Sequence, residues 1–244
     1  MNQFLVTGAA ALIFAATFLF GGRRIRPLSF ILKDSRGMLS FGAGMSVAYV
    51  FVHLMPELCD ARRSFTESVS IPLLYQGMAV YLVAMIGFLL FYGLHDLRRR
   101  LGNAAGESGE GPAFRLHLAG LAVYVWMMSY LLVRNLEEEP LSTVMYTIAI
   151  ACHFMSLDYS LRIDHGAEYD RFGRPLLGAM CLLGWGVGQL VPMPRYVLSL
   201  LVAFVSGSII MNNSIMELSA EREGRFLPFL AGGLIYGLIL VPLG

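Results

Sequence analysis

His53 and Glu57 stand four residues apart in an otherwise apolar stretch, Val52-His53-Leu54-Met55-Pro56-Glu57-Leu58. On a helix that spacing points both side chains from one face. An imidazole and a carboxylate placed so can share a cation or a proton. Pro56 lies between them, weakening the helical ladder and freeing a carbonyl oxygen as a further ligand. A helix-end pair reaching an interface is the plainer account of the same residues. Asn213 and Glu217 repeat the four-residue spacing, with Asn212 beside them; here the plainer account is a solvated helix end. His153 and Asp158 are five apart, which separates them by about 140° around a helix. One ion could use both only with help from other helices. An ion pair with Arg162, four residues on, accounts for Asp158 as well as a transport role does. A hydrogen bond to a neighbouring helix accounts for His153.

These groups are conspicuous because their surroundings are so apolar. Of 244 residues, 57% are hydrophobic and 14% charged, where soluble domains carry roughly 25% charge. Mean hydropathy is +0.64. Ionisable groups inside apolar helices are expensive, so each is a candidate functional residue. The fourteen methionines and the cysteines Cys59, Cys152 and Cys181 read as packing residues. No cysteine spacing points to a disulfide framework or a thiolate zinc site. The net charge of +1 does not point to nucleic acid.

Eight segments approach the 20 apolar residues that a membrane-spanning helix needs. They are Phe4 to Phe20, Met38 to Leu58, Leu73 to Leu94, Leu116 to Val133, Leu141 to Leu161, Leu176 to Val191, Tyr196 to Met216, and Phe226 to Leu243. The start of the chain has no positive run ahead of its first apolar segment, so that segment reads as a retained helix. With the N-terminus outside, 14 of the 18 Lys and Arg residues fall in cytoplasmic loops. That is the side positive residues favour. The expected fold is therefore an all-α integral membrane bundle, residues 1–244 forming one transmembrane domain, with both ends non-cytoplasmic. The expected setting is a bacterial inner (plasma) membrane. Residues 96–115, rich in Gly, Ala, Ser and Glu at their centre, read as a flexible cytoplasmic loop between helices three and four. His117 is expected at the inner start of helix four, in contact with water, and His165 in a cytoplasmic loop. Glycines such as Gly44, Gly184, Gly186, Gly188 and Gly232 suggest close helix packing; they permit a homodimer without requiring one.

Eight helices in a 3+5 layout resemble the ZIP (Zrt/Irt-like) metal transporters. The resemblance is carried by Phe41-Gly42-Ala43-Gly44-Met45 leading to His53-Leu54-Met55-Pro56-Glu57, and by Ala203-Phe204-Val205-Ser206-Gly207 running on to Glu217. It implies a divalent metal such as zinc as substrate, held midway through the membrane by helices four and five. There this chain departs from the family. His153 matches the helix-five histidine, but Leu157 stands at the glutamate position and Asp158 falls one residue late. On helix four, Tyr124 stands at the histidine and Met128 at the carboxylate. The candidate ligands are then His153, Asp158, Asn213 and Glu217, with Asn212, Met128 and Tyr124 as weaker additions and His53 and Glu57 near the outer end.

Three functions fit these residues. One is a divergent divalent-metal transporter. The second is a non-transporting ZIP-fold relative acting as sensor, scaffold or assembly partner. The third, a membrane-embedded metal hydrolase, lacks a zinc-binding histidine pair, so the chain is read as a non-enzyme. The discriminating geometry is whether His153, Asp158 and Glu217 converge on one point. Convergence at His53 and Glu57 alone would mark an outer accessory site.

Overall fold

The computed structural model describes residues 3–24, 35–69, 77–105, 112–134, 140–218 and 225–241. These form eight helices and no strand. They are α1 (Gln3–Arg24), α2 (residues 35–68), α3 (Met78–Ala105), α4 (Pro112–Arg134), α5 (Pro140–Glu168), α6 (Arg174–Leu190), α7 (Arg195–Leu218) and α8 (Phe226–Leu240). Five, namely α1, α2, α3, α4 and α7, are long and apolar enough to cross a bilayer. The apolar α8 is shorter, at 15 residues, or about 23 Å. Large apolar side chains cover the outside, among them Met78, Leu190, Leu227 and Leu238. Such an exterior suits lipid better than water.

Helix α2 does not stop near Leu58. It runs through Pro56 to Ser68, because a π-helical turn at Val50–Leu54 absorbs the proline's missing N–H. The Met55 amide there bonds the Val50 carbonyl, five residues back. Helix α3 continues to Ala105 and α4 begins at Pro112, so helix takes in both ends of the 96–115 segment. Residues 106–111 lie outside the described residues.

Helices α5 and α6 are joined without an extended loop. The chain bends at Gly166, whose φ of 51° and ψ of −126° suit glycine alone among the residues nearby. A second π-helical turn, Tyr169–Gly173, leads directly into α6. Arg174 is buried at the start of that helix.

The bundle closes through backbone-to-backbone contacts at glycine. A Cβ on Gly44 of α2 would fall on the Phe229 carbonyl of α8, and one on Gly232 of α8 on the Phe41 carbonyl of α2. Gly87 of α3 and Gly207 of α7 meet Phe204 and Ala84 in the same reciprocal way. Gly184 of α6 lies against the Trp126 carbonyl of α4. Helix α1 packs across α5 and α6, its Phe14 and Phe18 set against Phe154 at centroid distances of 5.3 and 5.0 Å. The glycine reading holds for Gly44, Gly184 and Gly232, but Gly186 faces open space. Gly207→Ala should therefore lower the unfolding temperature of the detergent-purified protein markedly, while Gly186→Ala leaves it unchanged or slightly raised. Equal shifts for the two in a thermal melt would contradict this packing.

Candidate functional site

Helices α2, α4, α5 and α7 surround a seam of polar groups. Within it the Tyr124 hydroxyl of α4 meets His153 Nε2 of α5 at 2.8 Å. Both are enclosed, with 0% and 3% of their surfaces exposed. An imidazole coordinates a metal through a ring-nitrogen lone pair. With Nε2 unprotonated, the phenol O–H occupies the lone pair that a cation would need. Phe91 wedges the tyrosine ring from α3, centroids 5.2 Å apart. Asn212 of α7 turns its side chain toward the same hydroxyl, though its Nδ2 lies outside bonding distance of any partner among the described residues.

Asp158 belongs to a different assembly. Arg174 grips it with two bonds, Nη2 to Oδ2 at 2.8 Å and Nε to Oδ1 at 3.1 Å, and the Tyr169 hydroxyl donates to Oδ1 at 2.9 Å. The guanidinium also meets Asp170 at 3.1 Å, and Asp170 meets Arg162 at 3.6 Å. Asp158 is 2% exposed and Arg174 4%. The expected Arg162 pairing is thus replaced by one with Arg174, because the bend at Gly166 folds the start of α6 back beside α5. Planar, bidentate geometry makes the pair strong, and both Asp158 oxygens have a donor. Asp158 fastens the α5–α6 connection. His153 and Asp158 therefore face different partners.

His53 and Glu57 do come together, Nε2 to Oε2 at 4.0 Å, both partly exposed. The His53 ring lies against Tyr49, centroids 5.1 Å apart. Glu57 also borders a cavity about the size of one water, walled mostly by the apolar side chains of Leu54, Met128, Leu131, Val202, Val205 and Ile209, with Tyr49, Tyr146 and Ser206 completing it. The side chains of Asn213 and Glu217 lie outside the described residues; the backbone there is helical. His117 is buried rather than watered, its ring 6.5 Å from that of His165. His165 sits in the last turn of α5 against Phe114. Among the described residues no three His, Cys, Asp or Glu side chains are grouped to hold a metal ion.

Residue types alone did not single out Tyr49, Tyr146, Ser206, Tyr169 or Arg174. For Arg174 a local signal exists, Asp170 standing four residues ahead of it on one face. The tyrosines carry no such mark, since a phenol is as common in cores as in sites.

These features define an all-helical bundle of membrane-like composition around a central polar seam. No family model matches the chain, and no match is found among curated proteins.

Removing one partner of a buried ion pair leaves the other uncompensated, which costs about 3–5 kcal/mol. Arg174→Ala should destabilise the purified protein by about that much. The double change Asp158→Leu with Arg174→Met should cost clearly less. Thermal unfolding of both variants checks this, and an equal loss in each would show that the pairing is not what Asp158 and Arg174 contribute.

Proposed function

We propose that this chain is a divergent, ZIP-like integral membrane protein whose central cation path is closed, so that it serves as a sensor or scaffold rather than a carrier. The observation behind this reading is the Tyr124–His153 bond at 2.8 Å in the middle of the seam. A divalent cation crossing a bilayer needs anionic or imidazole ligands in exchange for its water. At the level of His153 the hydroxyl of Tyr124 bonds Nε2 of the histidine, and the carboxylate five residues on belongs to Arg174. Both groups are engaged within the protein. The hydrolase reading is weakened by the same two engagements.

The transporter reading keeps one specific support. Helices α2, α4, α5 and α7 all contribute residues to the small cavity beside Glu57, and the Tyr124–His153 pair stands on two of the same helices, α4 and α5. In that reading Tyr124 swings away from His153 as the ion passes, and one helix group rocks against the other.

Zinc or manganese uptake into proteoliposomes separates the two. The wild-type protein should take up metal no faster than empty liposomes, and His153→Ala should change nothing. Uptake by the wild type that falls in His153→Ala would overturn the closed-path reading in favour of transport.

Orientation has its own reporter. Cys59 is exposed, whereas Cys152 is half-buried and Cys181 buried. With both termini on the non-cytoplasmic side, Cys59 faces outward. A membrane-impermeant maleimide added to intact cells should label the wild-type chain and not Cys59→Ser. Labelling that requires the membrane to be broken first would reverse the proposed topology.

A further inference from the structure

Helices α4 and α6 run parallel and in close contact. Gly184 lies against the Trp126 carbonyl and Gly188 against the Tyr130 carbonyl, the same offset at both. Followed back to the helix starts, that offset sets Arg115 level with Gly173, two residues after Arg171. Two residues of helix are about 3 Å of rise. Both arginines are exposed. They stand at nearly one height on neighbouring helices, at the same end of the bundle. Neither charge is matched within the described residues. No carboxylate there lies within ion-pair distance of Arg115 or Arg171, and Asp170, next to Arg171, is taken by Arg174 and Arg162. Each arginine is followed by an exposed apolar side chain, Leu116 on α4 and Phe172 on α6. The Arg171 guanidinium lies over the Phe172 ring, 5.0 Å from its centroid, a cation–π contact that holds the two together. Further along both helices the exposed surface includes Val123 on α4 and Leu182 on α6. Water suits the arginines and not these apolar groups, and hydrocarbon the reverse. The boundary of a bilayer suits both.

We propose that this rim of α4 and α6 is a binding site for an anionic phospholipid, its phosphate held by Arg115 and Arg171 and its acyl chains lying along the apolar faces beyond. The planar fork of a guanidinium matches two oxygens of a phosphate. Two such forks at one level, with no carboxylate between them, favour an anion there. Charge selects the headgroup. The ammonium of phosphatidylcholine offsets its phosphate, whereas phosphatidylglycerol keeps a net negative charge. Depth agrees with a single leaflet. From Leu116 to Val123 the helix rises about 10 Å, inside the roughly 15 Å that half a hydrocarbon core provides. A lipid bound here would brace the start of α6, just past the bend that Asp158 and Arg174 secure, against α4. The site rests on the reading of these helices as membrane-spanning. It does not depend on whether metal crosses the bundle.

The test is the unfolding temperature of the full chain in dodecyl maltoside, with phosphatidylglycerol or phosphatidylcholine of matched acyl chains added at equal mole fraction. Phosphatidylglycerol at about ten times its dissociation constant should raise that temperature by about 2–4 °C more than phosphatidylcholine does. Arg115→Gln and Arg171→Gln should each lose more than half of this difference, and the double change all of it. Phe172→Ala should weaken it. Arg63→Gln removes an exposed arginine that is paired with Glu67 on α2, and it should keep the full difference. Inorganic phosphate at the same concentration should give no rise. Native mass spectrometry supplies a second readout, in which the double variant retains fewer phosphatidylglycerol molecules than the wild type. Equal rises with the two lipids, or a full difference in the double variant, would overturn the site. A rise with inorganic phosphate that matches phosphatidylglycerol would overturn it in favour of a free-anion site. Metal uptake in the proteoliposome experiment would end the closed-path reading and leave the lipid site standing. Reversed maleimide labelling would only move the site to the other leaflet.

Discussion

The structure depends on how closely its helix backbones approach. At Gly44, Gly87, Gly207 and Gly232 the neighbouring carbonyl lies where any Cβ would be. In lipid, apolar side chains gain little by leaving the solvent, so helices associate through packing at such contacts. Reciprocal glycine pairs fasten α2 to α8 and α3 to α7, and Gly184 brings α6 against α4. These pairings set the distance across which the remaining side chains face one another. Between α4 and α5, where no glycine contact intervenes among the described residues, longer side chains bridge instead, Tyr124 to His153 and Tyr146 to the Met128 carbonyl.

Within this frame the polar groups divide by function. Arg174, Asp158, Tyr169 and Asp170, with Arg162 beside Asp170, form a set at the α5–α6 bend in which two guanidinium groups face two carboxylates. The seam between α2, α4, α5 and α7 is more open. Tyr124 and His153 are bonded to each other there, whereas Tyr49, Glu57, Tyr146 and Ser206 border a small cavity whose other walls are apolar. The arrangement at the bend secures the fold.

Helix number and the polar candidates were legible from composition and spacing, because apolar length and a four-residue interval are local properties. The His53–Glu57 contact follows from that interval alone. The partner of Asp158 was not legible. Arg174 lies sixteen residues away across a bend that depends on one glycine with positive φ, and no periodicity announces it. For the same reason His117 passed for a hydrated residue, since a polar residue beside an apolar run looks solvated until the next helix is folded against it. Tyr124 was visible only as a departure from a family pattern. Its bond to His153 depends on the relative height of two helices, a quantity that a single sequence does not carry. The glycines were read correctly as a class, yet Gly186 shows that the class does not identify which of them touch.

The π-helical turn at Val50–Leu54 has a consequence for the phase of α2. Tyr49 and Glu57 are eight residues apart, and on an unbroken α-helix that spacing would set them about 80° out of line. A π turn takes up one extra residue, so the effective spacing is seven and the offset shrinks to about 20°. This is how both come to border one cavity. The turn acts as a phase shifter between the half of α2 that meets α8 and the half that meets α7. Loss of a single residue within it would relax the turn to ordinary helix and leave both halves facing as they do, whereas one further residue would rotate Glu57 away. The segment is therefore asymmetric toward change in length, tolerant of shortening and intolerant of growth.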